Sequence, residues 1–196
     1  MQKRDIEFLY EMGTIRYVQR TWRQFLGADF ANLAEHTYRV AWIALVIAKN
    51  EGVEDIGKVL KMALVHDISE SRAGDVHYLS RQYVVRKEEE AIEDMLANTA
   101  LASDFIDLWK EYEKRECIEA RVVKDADNID IDMELIEQRA NGCELWKNKY
   151  EMRKKVSETK LYTKTAKQIW DQLYDSDPHA WHHNAPNRFQ AGDWSK

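Results

Sequence analysis

Proline is absent from the first 177 positions of this 196-residue chain: its two prolines, Pro178 and Pro186, both lie in the last twenty residues. A proline inside a helix removes a backbone donor and clashes with the preceding turn, so a chain without one can run as helix almost throughout. Glycine, the other common interrupter, occurs only seven times. The expected fold class is therefore all-α. With 44% apolar residues, seven Trp and nine Tyr among them, a chain of this length can bury a substantial core as one domain.

Apolar spacing locates the helices. Asp5 to Tyr10, continuing through Ile15 and Val18, places apolar residues three or four apart. After a break around Gly27 to Phe30, the most apolar stretch runs from Leu33 to Ala48. Asn32 precedes it with Glu35 three places on, the pattern of a capping box. Apolar nearly all round, this helix is expected at the centre of the fold. A second apolar helix runs from about Asp55 to His66-Asp67, and Ser69 to Val84 is polar and irregular, with Gly74 as its turn. Charged amphipathic helices are expected over about 86–96, 103–115 and 116–139, with two more between 144 and 174. Residues 175–196 are rich in turn formers and read as an extended C-terminal strap behind a domain of residues 1–174.

A formal net charge of −6 gives no overall positive field for a polynucleotide or an anionic membrane, and no apolar run is long enough to span a bilayer. Cys117 and Cys143 form neither a metal-type pair nor a disulfide framework. The opening MQKRDIEFLYEMG has neither an apolar signal core nor a transit-peptide composition. The setting expected is a reducing, cytoplasmic one.

The residues able to carry chemistry stand out by where they fall. His66 and Asp67 end a helix that is otherwise almost wholly apolar, so two groups costly to bury emerge together at the edge of the core. A lone pair of this kind is more simply a helix cap followed by a loop. His36, however, shares its helix face with Val40, Ile43 and Ile47, and Asp127 shares its face with Ala120, Val123 and Ile131. Singly, an inward histidine is more often a satisfied core residue than a ligand. Together, two inward histidines and two carboxylates on three helices match the nitrogen and oxygen set that Mn²⁺, Co²⁺, Fe²⁺, Mg²⁺ or Zn²⁺ accepts, with positions left for water and substrate.

The order His36, His66-Asp67, Asp127 resembles the H…HD…D signature of HD-domain phosphohydrolases. The segments AEHTYRVAWIALVIA, ALVHDISESRAGDV and LWKEYEKRECIEARVVKDADNID are similar to blocks of its 5′-deoxynucleotidase branch, over about Gln19 to Arg139. The resemblance implies a single-domain HD-type helical bundle, one divalent metal ion on His36, His66, Asp67 and Asp127, and a homodimer. Its substrate would be a small-molecule nucleotide. By the same resemblance Glu70 orients or deprotonates the attacking water, Asp75 acts near the leaving nucleoside oxygen or the sugar hydroxyl, Arg20 holds the phosphate and Trp22 packs on the nucleotide. Arg20 and Arg23 flank Thr21, where the commonest arrangement has the arginine, and Arg20 is the one assigned.

The reaction implied is hydrolysis of a nucleoside 5′-monophosphate; the alternatives are triphosphate hydrolysis and nucleotide sensing without turnover. A triphosphate pocket calls for extra cations, and the blocks around the ligands offer chiefly Arg20, Arg23, Arg72 and Lys124. His77, His179, His182 and His183 are not assigned to a site. The run Arg153, Lys154, Lys155 reads as a solvated helix face, and Cys117 lacks the partners of a nucleophile.

Overall fold

The computed structural model describes residues 3–27 and 29–184. Among these the chain is helical with no β-strand, its one bridge being an isolated antiparallel pair between Gln19 and Asn32. Three helices make the centre: α3 (Leu33–Glu51), α4 (Ile56–Val65) and α8 (Ile118–Ala140), each packed on the other two. Before them come α1 (Lys3–Thr14) and the short α2 (Trp22–Leu26). The one-turn α5 (Glu70–Ala73), then α6 (Glu88–Leu96) and α7 (Ala102–Lys114), fill the span between α4 and α8. α9 (Lys147–Thr159) and α10 (Lys164–Leu173) close the bundle.

Local chemistry explains the central helices. Asn32 accepts from the backbone of Ala34 and Glu35 while the Glu35 carboxylate accepts from the Asn32 amide, a complete capping box that satisfies donors a helix start leaves free. Asp55 caps α4 by accepting from Lys58, and α3 stops at Gly52, whose φ of 70° suits glycine. Val40, Ala44, Ile47 and Ala48 of α3 are fully buried against Val59, Met62 and Ala63 of α4 and Val122, Val123 and Ala126 of α8.

The expectation that α3 is buried nearly all round needs correction. Tyr38, Trp42 and Val46, at four-residue spacing, are 69%, 56% and 53% exposed, so an apolar stripe of α3 faces outward. α8 departs from a simple amphipathic helix in the opposite sense, for it carries several buried carboxylates. Each is tied to a different element, as buried charge requires. Asp125 accepts from the backbone of Tyr162 and Thr163 ahead of α10. Glu134 accepts from Ala31, and Asp132 receives Arg153 of α9 at 2.9 and 2.8 Å.

That last contact corrects the reading of 153–155: Lys154 and Lys155 are exposed, but Arg153 is 5% exposed and bidentate on Asp132. A methionine at 153 would keep the stem's packing and strand the aspartate, which retains the Tyr174 hydroxyl at 3.1 Å. Urea unfolding should place Arg153→Met about 3 kcal/mol below the wild type, the scale for breaking a buried pair from one side; a loss under about 1 kcal/mol would show the pair to be solvated.

In the tail, the extended strap expected from residue 175 gives way to a one-turn helix, α11 (Ala180–His183). Asp177 is the cause: its carboxylate accepts from the His179 amide and its carbonyl from Ala180, next to the φ-restricted Pro178. Residues 185–196, the rest of the expected strap, lie outside the described residues.

Candidate metal centre and active site

α3, the end of α4 and α8 bring His36, His66, Asp67 and Asp127 together, with one ligand atom from each lying within 4.8 Å of all the others. His36 Nε2 is 3.3 Å from His66 Nε2, 3.5 Å from Asp67 Oδ2 and 3.3 Å from Asp127 Oδ1, and His66 Nε2 is 3.2 Å from Asp67 Oδ2. Adjacent ligands on one octahedral ion lie about 3 Å apart, so these separations suit one shared cation.

Hydrogen bonding on the far side of each ring supports the same fit. His66 Nδ1–H donates to the Ala63 carbonyl at 2.8 Å, possible because His66 is the C-terminal cap of α4. His36 Nδ1–H donates to Asp130 Oδ2 at 2.6 Å, and Arg39 in turn holds Asp130 Oδ1. With Nδ1 protonated in both rings, the Nε2 lone pairs face each other across 3.3 Å, which a proton or a metal ion must reconcile. The charges around them point the same way. Burial and Arg20 work against a charged His36, yet the carboxylates of Asp127, Asp130 and Asp67 outweigh them and hold its pKa well above the ordinary range. Burial likewise opposes ionisation of Asp67 and Asp127, and cationic neighbours still keep both well below the usual carboxylate range. A cluster of ionised carboxylates that keeps a proton on its central imidazole is a place where positive charge is stabilised.

A cavity of about 630 Å³ opens from this cluster, within the usual range for small-molecule sites. Arg20, Trp22, Glu70 and Asp75 all line it. Arg20 is buried, with Nη1 3.2 Å from Asp67 Oδ2, Nη2 3.9 Å from Asp127 Oδ1 and Nε 3.9 Å from Asp75 Oδ2, the last an ion-pair separation that leaves Nε without a hydrogen-bond partner. Arg23, by contrast, turns outward to Gln19 and Asp29. Glu70 begins α5, has Oε1 3.3 Å from Arg86, and leaves Oε2 buried and unpartnered. Burial first, then the charges of Asp67 and Asp75, push its carboxyl up to about 9. Asp75 Oδ2 accepts from the Thr21 amide at 2.9 Å and lies 3.3 Å from its hydroxyl, so it also clamps the Arg20–Trp22 segment onto the loop after Gly74.

Several neighbours escaped the sequence reading. Asp130 has Val123 and Ala126 at i−7 and i−4, but Glu134 and Glu137 at i+4 and i+7 disguise its inward face. Arg86, Phe25, Tyr78 and Lys149 gave no signal, because only the folded chain brings them to the site. His77, left unassigned, lines the cavity with both ring nitrogens turned to Ser80. His179, His182 and His183 are exposed around α11 and do not line it. Cys117 is the N-terminal cap of α8, its sulfur accepting from Ala120.

A family model described as "HD domain" matches residues 12–170. The 5′-deoxynucleotidase HDDC2 of Dictyostelium discoideum is 30% identical over 145 residues, which cover 67% of this chain and 76% of that protein. The Homo sapiens 5′-deoxynucleotidase HDDC2 is 30% identical over 132 residues, 64% of each chain, so the match spans just under two thirds of the human protein. Among solved structures, a "Predicted metal-dependent phosphohydrolase" from Magnetospirillum magnetotacticum superimposes with a TM-score of 0.68 at 26% identity, covering 88% of this chain and 92% of that one.

Proposed function

The chain belongs to the HD-domain family, and on that footing we propose that it is a metal-dependent 5′-nucleotidase, converting a (deoxy)ribonucleoside 5′-monophosphate to nucleoside and phosphate. The observation that carries this reading is the convergence of four potential ligands beside two buried polar atoms without a hydrogen-bond partner, Arg20 Nε and Glu70 Oε2. One is a donor suited to a phosphoryl oxygen and the other an acceptor suited to a water proton.

One divalent ion on His36, His66, Asp67 and Asp127 would supply an acidified water and a Lewis-acid charge facing the phosphoryl group. Arg20, immobilised by three carboxylates, orients the phosphate. Glu70 takes a proton from the attacking water as the new P–O bond forms. Asp75, one oxygen fixed by Thr21, would return a proton to the departing nucleoside oxygen or hold the sugar hydroxyl. Trp22, which lines the cavity, would pack on the nucleotide. A monophosphate is favoured over a triphosphate because, beyond the Arg20 that takes the one phosphate, the cation beside the cluster, Lys124, is engaged by Asp127. A sensing role without turnover leaves the unpartnered Glu70 oxygen with no task.

Phosphate release from a panel of deoxy- and ribonucleoside mono- and triphosphates, run with each of several divalent ions, tests the reading. Orthophosphate from monophosphates supports it. Turnover of triphosphates alone, or none with any ion, would overturn it.

We further propose a cytoplasmic homodimer joined through the outward stripe of α3. Its Tyr38, Trp42 and Val46 are exposed apolar residues of the kind an interface covers, and no described helix is long and apolar enough to cross a membrane. Light scattering should give twice the chain mass, reduced to one by Trp42→Glu; a monomeric wild type rejects this assembly.

A further inference from the structure

The four carboxylates that line the cavity gather about the cluster: Asp67 and Asp127 belong to it, Asp75 reaches Arg20, and Glu70 feels the charges of Asp67 and Asp75. The lining charges that no ion pair engages among the described residues are cations: Arg81, Lys149 and Lys160. The same cavity holds a patch of rings. Phe25 meets His77 edge-on at 4.9 Å and stacks with Tyr78 at 5.9 Å, and Tyr78 is 67% exposed despite being a large aromatic residue. α9 contributes Lys149, Met152 and Val156 to the lining of the same cavity at i, i+3 and i+7, one helical face. The Lys149 ammonium stands 5.1 Å from the centre of the Phe25 ring.

A cavity lined by aromatic rings and by an apolar helix face, and continuous with a phosphate-binding cluster, suits a flat heteroaromatic ring. Its edge would meet ammonium and guanidinium donors with no carboxylate to accept from an amino group. Charge-assisted hydrogen bonds of that kind are about twice as strong as neutral ones. We propose that Phe25, His77 and Tyr78, together with Lys149, Met152 and Val156, form a nucleobase subsite that prefers bases with a carbonyl at purine position 6 or pyrimidine position 4 over their 6-amino and 4-amino counterparts. The inference rests on the nucleotidase reading for the position of the phosphate.

Matched substrates isolate each part. In metal-loaded wild type, kcat/KM for dIMP should exceed that for dAMP, and dUMP that for dCMP, by about fivefold or more. Lys149→Met should bring both ratios to within twofold of one. Tyr78→Ala should lower the ratio of dUMP to deoxyribose 5-phosphate, which has no base, by roughly tenfold, the range for losing one base–ring stack; Tyr78→Phe should restore it. Pair ratios near one, ratios unmoved by Lys149→Met, or a base-to-abasic ratio unmoved by Tyr78→Ala would each overturn the proposal. If no substrate is turned over, which defeats the nucleotidase reading alone, calorimetric Kd values for the same pairs decide the subsite on the same criteria.

Discussion

Asp67→Asn is expected to lower kcat/KM by about a thousandfold or more and to release the ion on dialysis, with the fold retained. Asparagine keeps the shape of the side chain and removes its charge. Asp67 touches both histidines of the cluster and is the closest partner of Arg20, at 3.2 Å. Losing it lowers the stabilisation of a cation there and frees the arginine that orients phosphate. Several kcal/mol of transition-state stabilisation depend on such a centre, and about 1.4 kcal/mol corresponds to a factor of ten. Metal content after dialysis, measured beside activity and circular dichroism, checks both halves. Activity surviving with bound metal intact would remove Asp67 from the ligand set.

Glu70→Gln should leave the ion in place and cost about a hundred- to ten-thousandfold in kcat, the usual contribution of a positioned general base. The pH profile separates that role from a structural one. A base acts only when ionised, so activity falls as pH drops through its pKa. In the metal-free protein, burial with Asp67 and Asp75 holds the Glu70 carboxyl up to about 9, and the positive charge of an ion nearby moves it downward. The acidic limb of kcat/KM in the wild type should therefore lie above the ordinary carboxylate range and below pH 9, and should vanish in Glu70→Gln. A glutamine variant that keeps the same limb at full amplitude would assign the proton transfer elsewhere.

Much of the fold was legible because the signals are local. The absence of proline, the Asn32–Glu35 box and the apolar spacing of α3, α4 and α8 depend on residues a turn or two apart, and the helices they indicate are those observed. Within the cluster, His36 could be read as inward from Val40 and Ile43 at i+4 and i+7, and Asp127 from Ala120, Val123 and Ile131 at i−7, i−4 and i+4. The same rule was blind to Asp130, whose buried side chain orients His36, because Glu134 and Glu137 lie at its i+4 and i+7. It failed for Arg153, where a basic run concealed one inward residue whose partner Asp132 lies on another helix. It was silent on the rest of the cavity lining, where Phe25, Tyr78 and Lys149 come from segments that meet only after folding. The outward stripe of α3 marks the converse limit: apolar composition alone reads as burial, and only the packed bundle shows Tyr38, Trp42 and Val46 exposed among the described residues.

Anomalous diffraction at the zinc edge from Zn²⁺-loaded crystals measures the central arrangement directly. The account predicts a single peak at about 2.0–2.2 Å from Nε2 of His36, Nε2 of His66 and a carboxylate oxygen each of Asp67 and Asp127. A peak that lacks any of these four contacts, or density for the ion only elsewhere on the molecule, would contradict it.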